Sequence, residues 1–115
     1  MSIHPAAAPF TGLGVALATP FTTGTDAVGA GRKPEVDHPA YGRLLDHVLA
    51  DGRGVDFLVV LGSTGEAATV TDPERHALVR QAVEHVSAAR RGGRLRRHVP
   101  VVVGVGHNDT ERACE

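Results

Sequence analysis

The chain has 115 residues, 42% of them hydrophobic and 22% charged, and a formal net charge of −1. This is ordinary composition for one small globular domain, and the near-neutral balance gives no electrostatic reason for a nucleic-acid, membrane-surface or strongly acidic partner. The single cysteine, Cys114, excludes an internal disulfide and a cysteine-rich metal site, so the expected location is the cytoplasm.

Residues 1–11 read as a disordered leader, because Met1 to Phe10 have neither the basic start nor the long apolar run of a signal peptide. No apolar stretch approaches the ~20 residues a membrane span requires. Gly14-Val15-Ala16-Leu17-Ala18-Thr19 is a continuous apolar run stopped by Pro20, the pattern of a buried strand rather than a half-exposed one. Residues 22–34 lack periodicity and read as a loop. Asp37-His38-Pro39 starts a helix, with Asp37 or His38 at the cap and Pro39 in the first turn. Tyr41, Leu44, Leu45, Val48 and Leu49 then recur on one helical face, and Gly52 and Gly54 end the helix.

Phe57-Leu58-Val59-Val60-Leu61 is a second buried strand. Thr71 and Glu74 have capping-box spacing, and Pro73 is tolerated in a first turn. Leu78, Val79, Ala82, Val83, Val86 and Ala89 form the stripe of a second helix, which Gly92-Gly93 stops. Val99-Pro100-Val101-Val102-Val103 is a third strand with its proline at the start, where no ladder donor is needed. Asn108 and Glu111 are placed to cap a third helix. The order β-α-β-α-β-α with continuous apolar strands predicts an α/β fold with parallel strands covered by helices. Periodicity alone leaves two architectures, a doubly wound open sheet and part of a (β/α)8 barrel.

Gly62-Ser63-Thr64-Gly65-Glu66 follows the second strand directly. Parallel α/β folds bind ligands at the carboxyl ends of their strands. Exposed backbone N–H groups and two adjacent hydroxyls suit a carboxylate or phosphate. The same five residues also suit a tight strand-to-helix turn with polar caps. Gly104-Val105-Gly106-His107-Asn108-Asp109 begins like a dinucleotide fingerprint, but Asp109 stands where the third glycine belongs. Five arginines fall between Arg90 and Arg97 with no aromatic residue among them, which fits a solvated helix end better than a nucleic-acid patch. His76 and His85 are nine apart on one helix and point to opposite faces, so the seven histidines predict no metal site. Ser63 lacks the Gly-x-Ser-x-Gly elbow of a hydrolase nucleophile.

Together these segments resemble the dihydrodipicolinate synthase and N-acetylneuraminate lyase family. Three blocks carry the resemblance, in the family's order. They are Ala16-Leu17-Ala18-Thr19-Pro20-Phe21, then Leu58-Val59-Val60-Leu61-Gly62-Ser63-Thr64-Gly65-Glu66-Ala67 with Glu74, then residues 99–106 with Asn108 and Thr110. The resemblance implies a partial (β/α)8 TIM barrel, its first three βα units, in an enzyme that is usually a homotetramer. It implies class I aldolase chemistry with no cofactor. A lysine forms a Schiff base with pyruvate, and the enamine attacks an aldehyde. For the synthase that aldehyde is aspartate semialdehyde, on the route to lysine. By position, Thr64 and the N–H groups of Ser63 and Thr64 hold the pyruvate carboxylate within the turn built on Gly62 and Gly65, and Ser63 is the proton-relay hydroxyl.

The chain departs from the family pattern in four places. Ser63-Thr64 replaces the two threonines more common in the synthase. Phe57 stands where many members have a small residue. The 22–34 loop is long. A barrel needs roughly 250 residues, and the family's Schiff-base lysine lies on a later strand. Lys33 is the only lysine and sits in the loop after the first strand, while Tyr41, the only tyrosine, lies on the first helical stripe. The chain is therefore expected to carry the cradle without the nucleophile and to be inactive alone. Another pyruvate aldolase of the family is the alternative, and a non-catalytic α/β module is a reading of a different class.

Overall fold

The computed structural model describes residues 10–22, 34–50, 54–95, 97–107 and 109–114. Three strands, β1 (Gly14–Ala16), β2 (Phe57–Val60) and β3 (Val101–Val103), alternate with three helices, α1 (His38–Val48), α2 (Asp72–Arg91) and α3 (Thr110–Ala113). The sheet order is β1-β2-β3, and both pairings are parallel. Leu58 and Val60 of β2 are fully buried in one cluster with Tyr41 and Leu45 of α1 and Leu78, Ala82 and Val86 of α2. Both helices therefore cover the same face of the sheet. Right-handed crossovers between strands in sequential order place both helices on one face in a barrel wall and in one half of a doubly wound sheet alike.

The opposite face corrects the expectation of strands buried on both sides. Register places Ala16, Val59 and Val102 in one row across the three strands. Ala16 is exposed, and the two valines are only half-buried. Side chains alternate along a strand, and the helices shield only every second residue. One row lower, Gly14 pairs with Phe57, and a Cβ on Gly14 would fall inside the Phe57 ring. Phe10 meets the same ring edge-on at 5.9 Å. The remainder of the expected leader, residues 1–9, lies outside the described residues.

Caps set most helix ends. The Asp37 carboxylate accepts from Ala40 N–H at 2.9 Å, and Thr71 and Glu74 form the capping box. α1 stops at Val48, before the expected glycines; Gly52 is outside the described residues. Gly54 instead lets the chain recross the helix end, since a Cβ there would overlap the Val48 carbonyl, which accepts from Val55 N–H at 3.2 Å. The third helix is capped by Asp109, one residue after the expected Asn108, because the Asp109 carboxylate accepts from Glu111 N–H at 3.0 Å; Asn108 is outside the described residues. Across the α1–α2 seam, Gln81 donates to the His38 carbonyl and pairs with His38 Nδ1, both at 2.8 Å. At the foot of the sheet the Asp56 carboxylate accepts from Leu13 N–H at 2.7 Å and pairs with Arg97. The Arg97 side chain is 72% exposed, in keeping with a solvated arginine run, so the pair adds little stability. Among the described residues no helix is long and apolar enough to cross a membrane.

Tyr41 is 2% exposed, and burial of its phenol pushes the pKa from 10.0 to about 12. The unfolded chain then loses this proton first, so stability present below about pH 10 falls as pH rises toward 12. Denaturant unfolding followed across this window should show that decline, and Tyr41→Phe should flatten it. The Gly14–Phe57 contact yields a second expectation. Gly14→Ala should destabilise by about 1–3 kcal/mol through overpacking. Phe57→Ala should relieve much of that cost in the double variant, whereas strictly additive effects would show that the ring is not the obstacle.

Candidate functional site

β2 ends in an abrupt change of direction. Leu61 is buried yet has φ 56°, and Glu66 has φ 55°. A left-handed backbone at a non-glycine residue costs roughly 1–2 kcal/mol. This corrects the reading in which the two glycines supply the bend. Among the described glycines only Gly12 and Gly93 have positive φ. At Gly62 a Cβ would make only an ordinary contact with Val59 Cγ1 at 3.8 Å. Gly65 is a glycine for lack of space, because a Cβ there would lie 3.0 Å from Leu61 N and 3.1 Å from the Leu17 carbonyl oxygen.

Between these two bends the peptide groups are oriented in one way. The Gly62 carbonyl accepts from Ala67 N–H at 3.4 Å, and the Ser63 carbonyl accepts from Glu66 N–H at 3.0 Å. In a planar trans peptide the N–H points opposite to the carbonyl. The N–H groups of Ser63 and Thr64 therefore face away from the interior of the turn. Both residues are exposed, and among the described residues no hydrogen bond uses these N–H groups or the two hydroxyls. Two adjacent N–H donors and two hydroxyls thus stand together at the carboxyl end of β2, an arrangement suited to a small anion.

Neighbouring strands hold the turn in place. Gly104 N–H donates to the Val60 carbonyl at 2.9 Å, and a Cβ on Gly104 would overlap the Leu61 carbonyl oxygen. The loops after β2 and β3 therefore share one end of the sheet, as expected for parallel strands. Two residues that sequence reasoning did not single out anchor the turn. Thr19 Oγ1, buried after β1, donates to the Gly65 carbonyl at 2.7 Å. Arg75, on the first turns of α2, donates to the carbonyls of Ala67 at 3.1 Å and Gly106 at 3.4 Å. The signal for Thr19 was a polar residue ending an apolar run, and that for Arg75 was a cation in an acidic first turn; neither names its partner.

A cavity of about 490 Å³ lies between α2 and the start of α3, lined by Arg75, His76, Val79, Gly104, His107 and Arg112 among others. Neither Ser63 nor Thr64 lines it. Tyr41 is in the helix-side core, away from the turn. Lys33 lies outside the described residues. Among the described residues no three His, Cys, Asp or Glu side chains converge as metal ligands.

Residues 9–115 match the model of the "Dihydrodipicolinate synthetase family". The chain belongs to that family. It is 43% identical over 106 residues to 4-hydroxy-tetrahydrodipicolinate synthase of Thermotoga neapolitana and 35% identical over 106 residues to that of Acetivibrio thermocellus. Each match covers 92% of this chain and 29% of the relative, so the chain spans under a third of these proteins. Among family members of known structure, dihydrodipicolinate synthase from Aquifex aeolicus superposes with a TM-score of 0.63 at 34% identity, covering 90% of this chain and 28% of that one. A dihydrodipicolinate synthase variant described as monomeric superposes with a TM-score of 0.64 at 37% identity, covering 89% of this chain and 27% of that one. The three-stranded sheet is thus part of the family's barrel.

The two glycines after β2 and β3 should respond differently to substitution. Gly104→Ala drives a Cβ into backbone and should cost more stability than Gly62→Ala, which meets open contact. Thermal unfolding of the two variants checks the order, and equal losses would contradict the described packing.

Proposed function

We propose that this chain supplies the pyruvate-carboxylate cradle of a Schiff-base lyase that condenses pyruvate with aspartate semialdehyde, the 4-hydroxy-tetrahydrodipicolinate synthase reaction. The observation that carries the reading is the pair of outward N–H groups at Ser63 and Thr64, at the carboxyl end of a barrel strand in a chain of this family. Thr64 and both N–H groups bind the carboxylate. Gly62 and Gly65 flank them in the turn between the bends at Leu61 and Glu66. The Ser63 hydroxyl, which both donates and accepts, relays protons during the condensation. The synthases among its relatives favour this aldehyde over those of other pyruvate aldolases. Cytoplasmic location and a homotetrameric full-length enzyme complete the reading.

Schiff-base formation needs an amine of lowered pKa held beside the cradle. Lys33 is the chain's one lysine, between β1 and α1 in the sequence. Incubation of the 115-residue chain with pyruvate and borohydride should therefore leave no stoichiometric adduct. A barrel-length form, made by placing this chain in the position of the aligned stretch of the Thermotoga neapolitana relative, should trap one pyruvate per chain. Thr64→Ala in that form should raise the KM for pyruvate by about tenfold or more through loss of a donor to a charged group. A full-yield adduct on Lys33, or a barrel-length form that does not trap pyruvate, would overturn the proposal.

A further inference from the structure

Thr19 is 5% exposed, and its hydroxyl reaches across from the end of β1 to the Gly65 carbonyl, 46 residues away in sequence. Among the described residues it is the one side chain of another element that hydrogen-bonds into residues 62–65. The Gly65 peptide has no space to move toward β1, since a Cβ would already press on the Leu17 carbonyl and on Leu61. On either side of the turn, Leu61 and Glu66 hold left-handed backbone that relaxes if the restraint is released. The Arg75 anchor engages only beyond Glu66, at Ala67. The orientation of the Ser63 and Thr64 peptides between the two bends thus depends on the Gly65 carbonyl.

We infer that Thr19 is a positioning residue for the cradle: its buried hydroxyl fixes the Gly65 carbonyl and thereby aims the Ser63 and Thr64 N–H groups at a bound carboxylate. The inference rests on the pyruvate reading given above. Thr19 touches no substrate; it acts through the backbone of the turn. A buried hydroxyl that merely satisfies itself in the core would affect overall stability and leave the aim of the donors unchanged.

Thr19→Val preserves shape and removes the donor, and Thr19→Ser restores it. Amide hydrogen exchange, on the protein expressed from its natural reading frame and on the barrel-length form, should quicken about tenfold across residues 62–67 in Thr19→Val. The amides of α2 should be unchanged, and Thr19→Ser should return the turn to its original rate. In the barrel-length form, Thr19→Val should raise the KM for pyruvate about tenfold, leave the KM for the aldehyde unchanged, and be rescued by serine. Exchange that rises equally in the turn and α2, with an unchanged pyruvate KM and a lower active fraction, would reduce Thr19 to a structural residue and overturn the inference. Unchanged exchange would overturn it as well. If unsubstituted barrel-length protein fails to trap pyruvate, the functional reading falls by itself, and the exchange comparison still decides whether Thr19 aims the turn.

Discussion

β2 hydrogen-bonds to β1 on one side and to β3 on the other, and the geometry of the site depends on where this central strand stops. Leu58 and Val60 bury their side chains under both helices, which fixes the level of the strand in the wall. The ladder to β3 ends with Gly104 N–H donating to the Val60 carbonyl, and a side chain on Gly104 would overlap the Leu61 carbonyl. Leu61 turns left-handed while its side chain stays in the core. The burial of this one leucine helps to maintain a backbone conformation that it would avoid in a free peptide.

The proposed cradle follows from the fixed end of this strand rather than from a flexible loop. Two carbonyls turn inward to Ala67 and Glu66, and planarity sends the next two N–H groups outward. Neither donor has to be reoriented before an anion arrives. Such preorganisation favours binding because less ordering remains to be done on association. The restraints come from Thr19, beyond the end of β1, and from Arg75 on α2. The turn is therefore tied to three strands and a helix although it spans only a few residues.

The two faces of the sheet are unequal in a way that matches a barrel wall. On the helix side, Leu45, Leu58 and Leu78 are fully buried. On the other side, Ala16, Val59 and Val102 present a small apolar row, with the Phe57 ring over Gly14 beneath it. In a closed barrel such residues fill the interior in layers contributed by several strands. Gly62 lies next above Val59, so the cradle begins where that inner row ends.

Local patterns were readable in the sequence by itself. Apolar runs located the strands, the stripe of Leu78, Ala82 and Val86 located α2, and Asp37 and the Thr71–Glu74 pair marked helix starts. These features arise from neighbours within a few residues, where spacing determines geometry. The turn after β2 was also readable as the place to propose a cradle, because ligands gather at the carboxyl ends of parallel strands. Other features were decided only by tertiary structure. The bends fell on Leu61 and Glu66 rather than on the glycines, α1 ended before its glycines, one face of each strand stayed uncovered, and Thr19 and Arg75 became the anchors of the turn. Each of these depends on a group brought close by folding, as Thr19 is to Gly65 across 46 residues of chain. Spacing along the chain carries no record of such a meeting; packing and the need to pair buried polar groups determine it.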